Sequence, residues 1–535
     1  MVALRGAQEV GINVVGSSMF GINPKINAER TYNMYISDGW LTSFPGFKKI
    51  VELQSNENVS VQGRGLFRSI RGRLIIAVVG KSVYKLDPII GVSFIDTIDT
   101  SSGRVFIDEN LSGQIAIVDG LNLYIYNRNN NALTKQSVPG SLVPNYVVYH
   151  NTYFLIGNGD VSGNGAKWFA FSYATDNTVT ETYELALQTK SDYAIAVNRL
   201  PGKGNNVIVF GTSVAEIHNN VGGLQGYQRV STINIDYGCL NVDTIASSDT
   251  FVCWLGSNES NAPVIMVFDG SQAIPISSDG INHFLNSLSY PEQSNGFIFR
   301  TDTGHLQYVL TFYNEADSTT LMYDFNTKMF FHLSNHCLDY HPARKVIHVN
   351  NTSYFVSFDN GCLYELNSKY KTLDENIVNE DNDNYKSYLN RVMPRQRICK
   401  SVRLKNAERF RARRVTLTVQ QGLDLEHTEL ANLNRGVDYL IDEDGDQLIT
   451  ETGDQMIGES QIDYLIYQPG IDFSFSKDGG VTYSNEVRNI LQYTGHRVNQ
   501  LTWDRMGTAN DFTPKFKFWG KYDYFVGDAT LEVTQ

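Results

Sequence analysis

From about residue 60 to residue 370 the chain repeats one short grammar: a run of β-branched and aromatic residues, a Gly, Asn or Asp turn, and a second such run. Gly72-Arg73-Leu74-Ile75-Ile76-Ala77-Val78-Val79-Gly80 leads into Ser82-Val83-Tyr84-Lys85-Leu86, and Gln114-Ile115-Ala116-Ile117-Val118-Asp119-Gly120 leads into Leu123-Tyr124-Ile125-Tyr126. Each predicts a hairpin. Comparable units at 146–171, 195–217, 251–276, 296–333 and 346–366 bring the candidates to about seven, spaced by roughly 40 to 50 residues. Four-stranded units recurring on that scale are the sequence sign of a β-propeller, in which radially stacked sheets bury one another's faces and leave only short edges. The spacing is uneven and no kelch or WD signature stands out, so six or seven blades are expected. A pair of irregular β-sandwiches is the competing arrangement.

The fold class is therefore all-β, a propeller with an additional C-terminal β-sandwich-like domain. Four regions follow: an N-terminal segment (1–60) packing on the propeller or on a platform; the propeller (61–370); an acidic linker or loop (371–390); and a C-terminal β domain (391–535). The linker rests on Asp374-Glu375-Asn376 through Glu380-Asp381-Asn382-Asp383-Asn384, which shows no apolar periodicity. Strands such as Arg414-Val415-Thr416-Leu417-Thr418-Val419 and Lys515-Phe516-Lys517-Phe518-Trp519 mark the last region. Helices are scarce, the best candidate lying at 281–288. Composition agrees: 30 Tyr and 28 Phe with 19% charged residues tilt a chain of 535 residues toward strands.

A formal net charge of −13 argues against a dedicated nucleic-acid binder, whose affinity comes from Lys and Arg on phosphates. It suits a wall that DNA slides past, and it is equally an ordinary route to solubility. Cys239, Cys253, Cys337, Cys362 and Cys399 are widely spaced, odd in number and never in a C-x-x-C pair, so reduced thiols are expected instead of a disulfide scaffold or zinc ribbon. No run nears the ~18 apolar residues of a membrane-spanning helix, and the first residues lack the apolar core of a secretory signal.

Several clusters invite a chemical interpretation. Ser476-Lys477-Asp478-Gly479-Gly480-Val481-Thr482-Tyr483 fits the S-x-D-x-G-x-T-aromatic "Asp box", whose Asp and glycines shape a hairpin turn and take no part in catalysis. Gly157-Asn158-Gly159-Asp160-Val161-Ser162-Gly163-Asn164-Gly165 looks like a phosphate-cradling loop, but a strand-like run, Trp168-Phe169-Ala170-Phe171, follows where a helix is needed. His332, His336, Cys337 and His341 could ligate metal only if His332 and His336 shared a helix face, and the residues leading in are strand-like. Asp442-Glu443-Asp444-Gly445-Asp446 opens like a calcium loop, yet Gly453 stands where that loop needs its bidentate Glu. The same segment contains an acidic tandem (442–459), in which Asp444-Gly445-Asp446-Gln447 is echoed by Thr452-Gly453-Asp454-Gln455, plausible as a projecting contact element. Arg391, Arg395, Arg397, Lys400, Arg403, Lys405, Arg409, Arg411, Arg413 and Arg414 crowd one stretch with Glu408 as its single acid. They suggest a surface for an acidic neighbour, a local DNA brush, or simple alternation along a solvent-facing strand. No catalytic, cofactor-binding or metal-binding residues can be chosen over chance, so an enzyme is not expected and no cofactor is assigned.

Glu29-Arg30-Thr31-Tyr32-Asn33-Met34-Tyr35, followed by Gly39-Trp40-Leu41-Thr42-Ser43-Phe44-Pro45-Gly46, resembles the start of the packaged-DNA stabilisation proteins, the tail hub or nozzle proteins of short-tailed bacteriophages. The resemblance continues in order through Val209-Phe210-Gly211-Thr212-Ser213, Tyr237-Gly238-Cys239, Met266-Val267-Phe268-Asp269-Gly270, Tyr323-Asp324-Phe325, Lys405-Asn406-Ala407-Glu408-Arg409-Phe410 and Arg505-Met506-Gly507. It departs where Thr508-Ala509-Asn510-Asp511-Phe512 replaces a basic run, and where the acidic tandem is inserted. The resemblance implies a homohexameric virion ring, assembled in the host cytoplasm. That ring would sit below the portal and its head-to-tail adaptor ring, continue the DNA channel and retain packaged DNA. It would also receive a plug or needle and support tail fibres or spikes, with double-stranded DNA passing without sequence preference. The alternatives are a glycan-degrading or glycan-binding propeller and a generic propeller scaffold for protein recognition.

Overall fold

A computed structural model of the protein describes residues 7–21, 29–53, 61–69, 74–87, 91–138, 142–160, 165–174, 176–223, 226–314, 316–349, 352–378, 385–405, 408–420, 469–491, 500–520 and 522–534. Among them, seven small antiparallel sheets follow one another along the chain, within 63–97, 106–136, 144–186, 196–235, 238–275, 294–333 and 343–367. These are the blades of a seven-bladed propeller. Ile75–Val79, Gln114–Val118, Leu123–Asn127 and Val252–Ser257 are buried along their whole length because each blade is covered on both faces. That coverage is why the sequence shows unbroken apolar runs there instead of alternation. Outermost strands such as Gly91–Thr97 and Val179–Ala186 are mostly exposed. The hairpin turn between His150 and Tyr153 holds both Asn151 (φ 45°) and Thr152 (φ 75°) in the left-handed region, the mirror-image turn that matches strand twist.

Ring closure uses residues from far apart in the chain. The last blade supplies only Ala343–Val349, Thr352–Ser357 and Cys362–Asn367, and its outermost place is taken by Gly46–Glu52, antiparallel to Cys362–Asn367. Leu66, Ile75, Ala77 and Val79 of the first blade then pack against Ile347, Val349, Val356 and Leu363 of the last. Gly63 lies so close to Val356 that a Cβ there would stand 2.7 Å from the valine Cβ. The short helix Asp279–Ser287, capped by Ser278, buries Ile281 and Leu285 between the fifth and sixth blades.

The remaining strands form a β-sandwich. One sheet joins Gln8–Ile12, Phe525–Thr534, Phe410–Val419 and Gln500–Ala509, with the hairpin of Met34–Ser37 and Trp40–Ser43 beside Phe525–Thr534. The other joins Arg30–Tyr32, Arg395–Ile398, Thr513–Trp519, Gly470–Ser476 and Val487–Ile490. Between them lie Val415, Leu417, Phe473, Trp503, Phe516, Phe518 and Leu531. The second sheet does not stop at the sandwich: Tyr32 pairs in parallel with His332, so the sixth blade continues into it as one nine-stranded sheet. The N-terminal segment is thus woven through both bodies. The stretch 371–390, expected as a linker or loop, carries a hairpin of Thr372–Val378 with Tyr385–Val392, anchored where Leu373 pairs with Phe47. Its polar composition concealed this because the ladder is made by backbone groups, with Leu373 and Val392 buried at its base.

The junction is held by buried polar groups. Arg397 donates from Nε to the Val14 carbonyl (3.0 Å) and from its terminal nitrogens to the carbonyls of Ser17 (2.7 Å) and Asn13 (3.1 Å), to Thr31 Oγ1 (3.1 Å) and to the Glu29 carboxylate. Gly16 is required beside it, since a Cβ would sit 2.1 Å from the guanidinium. Asn33, at φ 54°, donates to Ser334 Oγ (2.9 Å) and the Pro394 carbonyl (2.7 Å), and accepts from the Ser334 amide (2.8 Å). His332 meets Ser18 Oγ at 2.7 Å.

Arg397→Met should strand Glu29 as a buried, unpaired carboxylate and lower stability by about 3–5 kcal/mol in urea unfolding. Burial pushes both His332 and His341 down to about 3 from 6.5. The unfolded chain therefore binds protons that the fold refuses, and the stability present above 6.5 drains away as pH falls toward about 3. Each histidine should contribute a slope of about 1.4 kcal/mol per pH unit, and unfolding midpoints of His332→Asn across that range should show a shallower loss.

Candidate functional site

The propeller axis is lined by the first strands of the blades, among them Gly63–Arg68, Pro144–His150, Ser294–Arg300 and Ala343–Val349. Along it, charges meet at close quarters. Asp243 lies 3.7 Å from Arg104 and 3.3 Å from Arg344, and Arg104 also donates to the Asp243 carbonyl. The guanidinium of Arg104 lies over the Phe106 ring at 4.6 Å, and that of Arg344 over Phe358 at 5.2 Å. Lys345 joins them, its ammonium pushed down to about 7 by burial and by Arg104. Toward the ends of the inner strands Asp108 pairs with the exposed Arg199 at 3.1 Å and accepts from the Tyr149 amide at 2.7 Å, while burial pushes its carboxyl up.

A cavity opens at each end of this plug. Where the inner strands begin, about 630 Å³ is bounded by Gln62, Asn241, Asp243, Ser294, Asn295 and Arg344. Where they end, about 970 Å³ is bounded by residues including Arg68, Asp249, Arg300, Asp302, Lys345 and His348. Among the described residues the two cups are separated by the side chains of Arg104, Asp243, Arg344 and Lys345.

The second charged feature is the outer face of the sandwich sheet. On Phe410–Val419 the side chains of Arg411, Arg413 and Arg414 are exposed, and Arg505 stands on the neighbouring strand. With Asp504 and Glu532 they bound a hollow of about 440 Å³. The basic stretch 391–414 is therefore not one surface. Arg395 and Arg397 are buried at the junction, Lys400, Lys405 and Arg409 are exposed, Arg403 pairs with Asp511, and Arg411, Arg413 and Arg414 stand together around the hollow. Strand alternation, broken by a bulge between Ala412 and Arg414, accounts for the split.

The other sequence clusters resolve singly. At the Asp478 turn the carboxylate accepts from Ser476 Oγ (2.6 Å), from Thr482 Oγ1 (2.6 Å) and from the amides of Val481 and Thr482 (both 3.0 Å), bonds that hold it well below the usual carboxylate range. His341 accepts from the Ala343 amide (3.3 Å) and His336 donates to the Val392 carbonyl (3.3 Å), so these two and His332 serve separate partners. Among the described residues no three His, Cys, Asp or Glu gather at metal-binding distance. The glycine-rich loop leaves a strand, Tyr153–Asn158, and returns to another, Lys167–Tyr173; residues 161–164 lie outside the described residues, as does the acidic tandem 442–459. The axial set escapes sequence analysis because Arg104, Asp243 and the Arg344–Lys345 pair come from three distant parts of the chain.

The family model described as "Bacteriophage P22 Gp10, beta-propeller" matches residues 25–371. No curated protein matches. Among solved structures, virginiamycin B lyase from Staphylococcus aureus is similar over 60% of this chain and 99% of its own, at 10% identity and a TM-score of 0.41. A streptogramin B lyase covers 62% of this chain and 99% of its own at 12% identity and a TM-score of 0.39. The Pan2 WD40 domain of Neurospora crassa covers 62% and 97% at 9% identity and a TM-score of 0.38.

Asp243 is the acid shared by Arg104 and Arg344, so Asp243→Asn should leave buried cations opposed only by one another. A loss of about 3–5 kcal/mol in urea unfolding is expected. Adding Arg344→Met to that variant should recover part of it, a non-additivity that a double-mutant cycle measures directly.

Proposed function

The chain belongs to the family described as Bacteriophage P22 Gp10, β-propeller, a phage structural protein of the packaged-DNA stabilisation kind, and from that membership we propose that it forms the tail nozzle or hub ring. Six copies surround a conduit below the portal and its adaptor ring in the virion, keep packaged DNA inside, and let it pass at ejection. A tail plug or needle closes the far side, and fibres or spikes attach around it. The work is mechanical, with no covalent step and no cofactor.

The observation that carries this reading is the plugged axis. The side chains of Arg104, Asp243 and Arg344 meet between the two cups on the axis, which supports a conduit made between copies over one through a single propeller. A closed ring of identical interfaces, each burying more than about 1,000 Å², distributes an outward push evenly. The net charge of −13 fits a wall along which a polyanion slides without being trapped.

A second reading, a glycan-degrading or glycan-binding propeller, draws on the larger cup, where Asp249 and Asp302 stand with Arg68 and Arg300. A glycosidase acid has to be kept protonated by an apolar setting. Both aspartates are exposed on polar loops, and Asp302 is hydrogen-bonded by Ser368, which favours the structural role.

Electron microscopy of the protein mixed with its adaptor ring should show a six-fold collar, and particles lacking the protein should lose their DNA. Protein that stays monomeric beside the adaptor, or deficient particles that keep full heads, would overturn the proposal.

A further inference from the structure

The arginine face of the sandwich has features that structural duty alone does not explain. In an unbroken strand, neighbours point to opposite sides of the sheet. Here the bulge between Ala412 and Arg414, present in the pairing with both flanking strands, leaves the consecutive residues Arg413 and Arg414 both exposed beside Arg411. Across from them Arg505 holds φ at 67°, a conformation that costs an arginine free energy and that glycine would adopt freely. Arg414 pairs with Asp504 at 2.8 Å and Arg413 with Glu532 at 3.3 Å. Among the described residues Arg411 and Arg505 have no carboxylate within ion-pair distance. The hollow therefore gathers four guanidinium groups around two carboxylates, on a chain whose net charge is −13.

Next to the arginines the face carries small polar groups. Outward from the same strand follow Thr416 and Thr418, and from the adjacent strand Thr502 and Thr508, while the exposed aromatic side chains of Trp40 and Phe525 stand at the opposite end of the face, near Thr418. Protein–protein interfaces concentrate aromatic and apolar residues at their centre and are depleted of charge there. Arginine with threonine hydroxyls on an open surface is the composition that meets phosphate oxygens. A flat sheet face with no element to enter a groove has no means of distinguishing base pairs.

We propose that this arginine face contacts the phosphate backbone of duplex DNA without reading its sequence. The inference rests on the proposed conduit and adds to it a foothold. The acidic bulk of the chain repels DNA, while a patch whose field is screened within about 8 Å at physiological salt acts only on the strand that touches it. The two native carboxylates keep the attraction weak, so the contact restrains the DNA end at rest and yields when the genome moves.

The test uses the full-length protein and fluorescence anisotropy with two duplexes of equal length and unrelated sequence, over a salt series. Both duplexes should bind equally, and the logarithm of affinity should fall linearly with that of salt. Arg411→Ala and Arg505→Gly should each reduce the slope by about one and weaken both duplexes alike, while Arg411→Lys should keep the slope. Arg505→Gly also removes the backbone strain, so it should be at least as stable as the parent, which separates lost binding from lost folding. No binding at low salt, slopes unchanged in the variants, or polyglutamate bound as tightly as DNA would overturn the inference, the last in favour of an acidic protein partner. Ring assembly scored on the same samples keeps the two readings apart: a collar that forms yet ignores DNA defeats this inference and leaves the nozzle standing.

Discussion

A buried guanidinium holds this molecule in one piece. Arg397 is sealed from solvent and satisfied by three backbone carbonyls, a hydroxyl and the Glu29 carboxylate, all from the N-terminal segment, while its own strand belongs to the sandwich. Charge-assisted hydrogen bonds in a water-excluded site are strong when complete and costly when one partner is missing. The network therefore acts as a registry device. It fixes Arg30–Tyr32 where that short strand pairs on one side with Arg395–Ile398 and on the other with the sixth blade. From that register the chain turns at Asn33, runs through the sandwich hairpin and delivers Gly46–Glu52 to close the propeller.

The two bodies consequently share one sheet and are not tethered by a flexible strap. Backbone ladder bonds run from Ser294–Arg300 to Val487–Ile490 across the junction, and the Thr372–Val378 hairpin lies against the closing strand beside it. A second route to rigidity runs through Asn33, whose amide bonds Ser334 of the propeller and Pro394 at the edge of the sandwich. For a subunit proposed to stand in a ring against an outward push, continuous pairing matters more than total stability, because a hinge would let each copy yield independently.

How much of this could be read in the residues alone follows from where the physics is local. Alternation of apolar runs and turns is a property of neighbours in sequence, so the hairpins of 63–97 and 106–136, the short helix and the Asp478 turn were all legible. The closing strand was not, because Gly46–Glu52 meets Cys362–Asn367 across some three hundred residues. The hairpin at 372–392 was hidden by its polar side chains, since main-chain pairing leaves little trace in composition. The basic stretch 391–414 looked like one feature because charge was counted along the chain, whereas burial is decided by which side of a strand each residue takes. Arg395 and Arg397 went inward and Arg411, Arg413 and Arg414 outward.

The same distinction explains why the chain's charges divide into two kinds. At the axis, Arg104, Arg344 and Lys345 crowd around Asp243, and the aromatic faces of Phe106 and Phe358 take up part of what one carboxylate cannot. Those groups are desolvated, short of mobility and already committed to one another, so they brace the blades and have little left to offer a ligand. On the sandwich face the guanidinium groups remain hydrated, and one of them is held in an unfavourable backbone conformation. Buried charge secures a fold because its partners are fixed; exposed, incompletely paired charge is available because its partners are not. In this protein the charged axis and the open arginine face are the two outcomes of that single rule, which is why the proposed contact with a polyanion falls on the sandwich and not on the propeller axis.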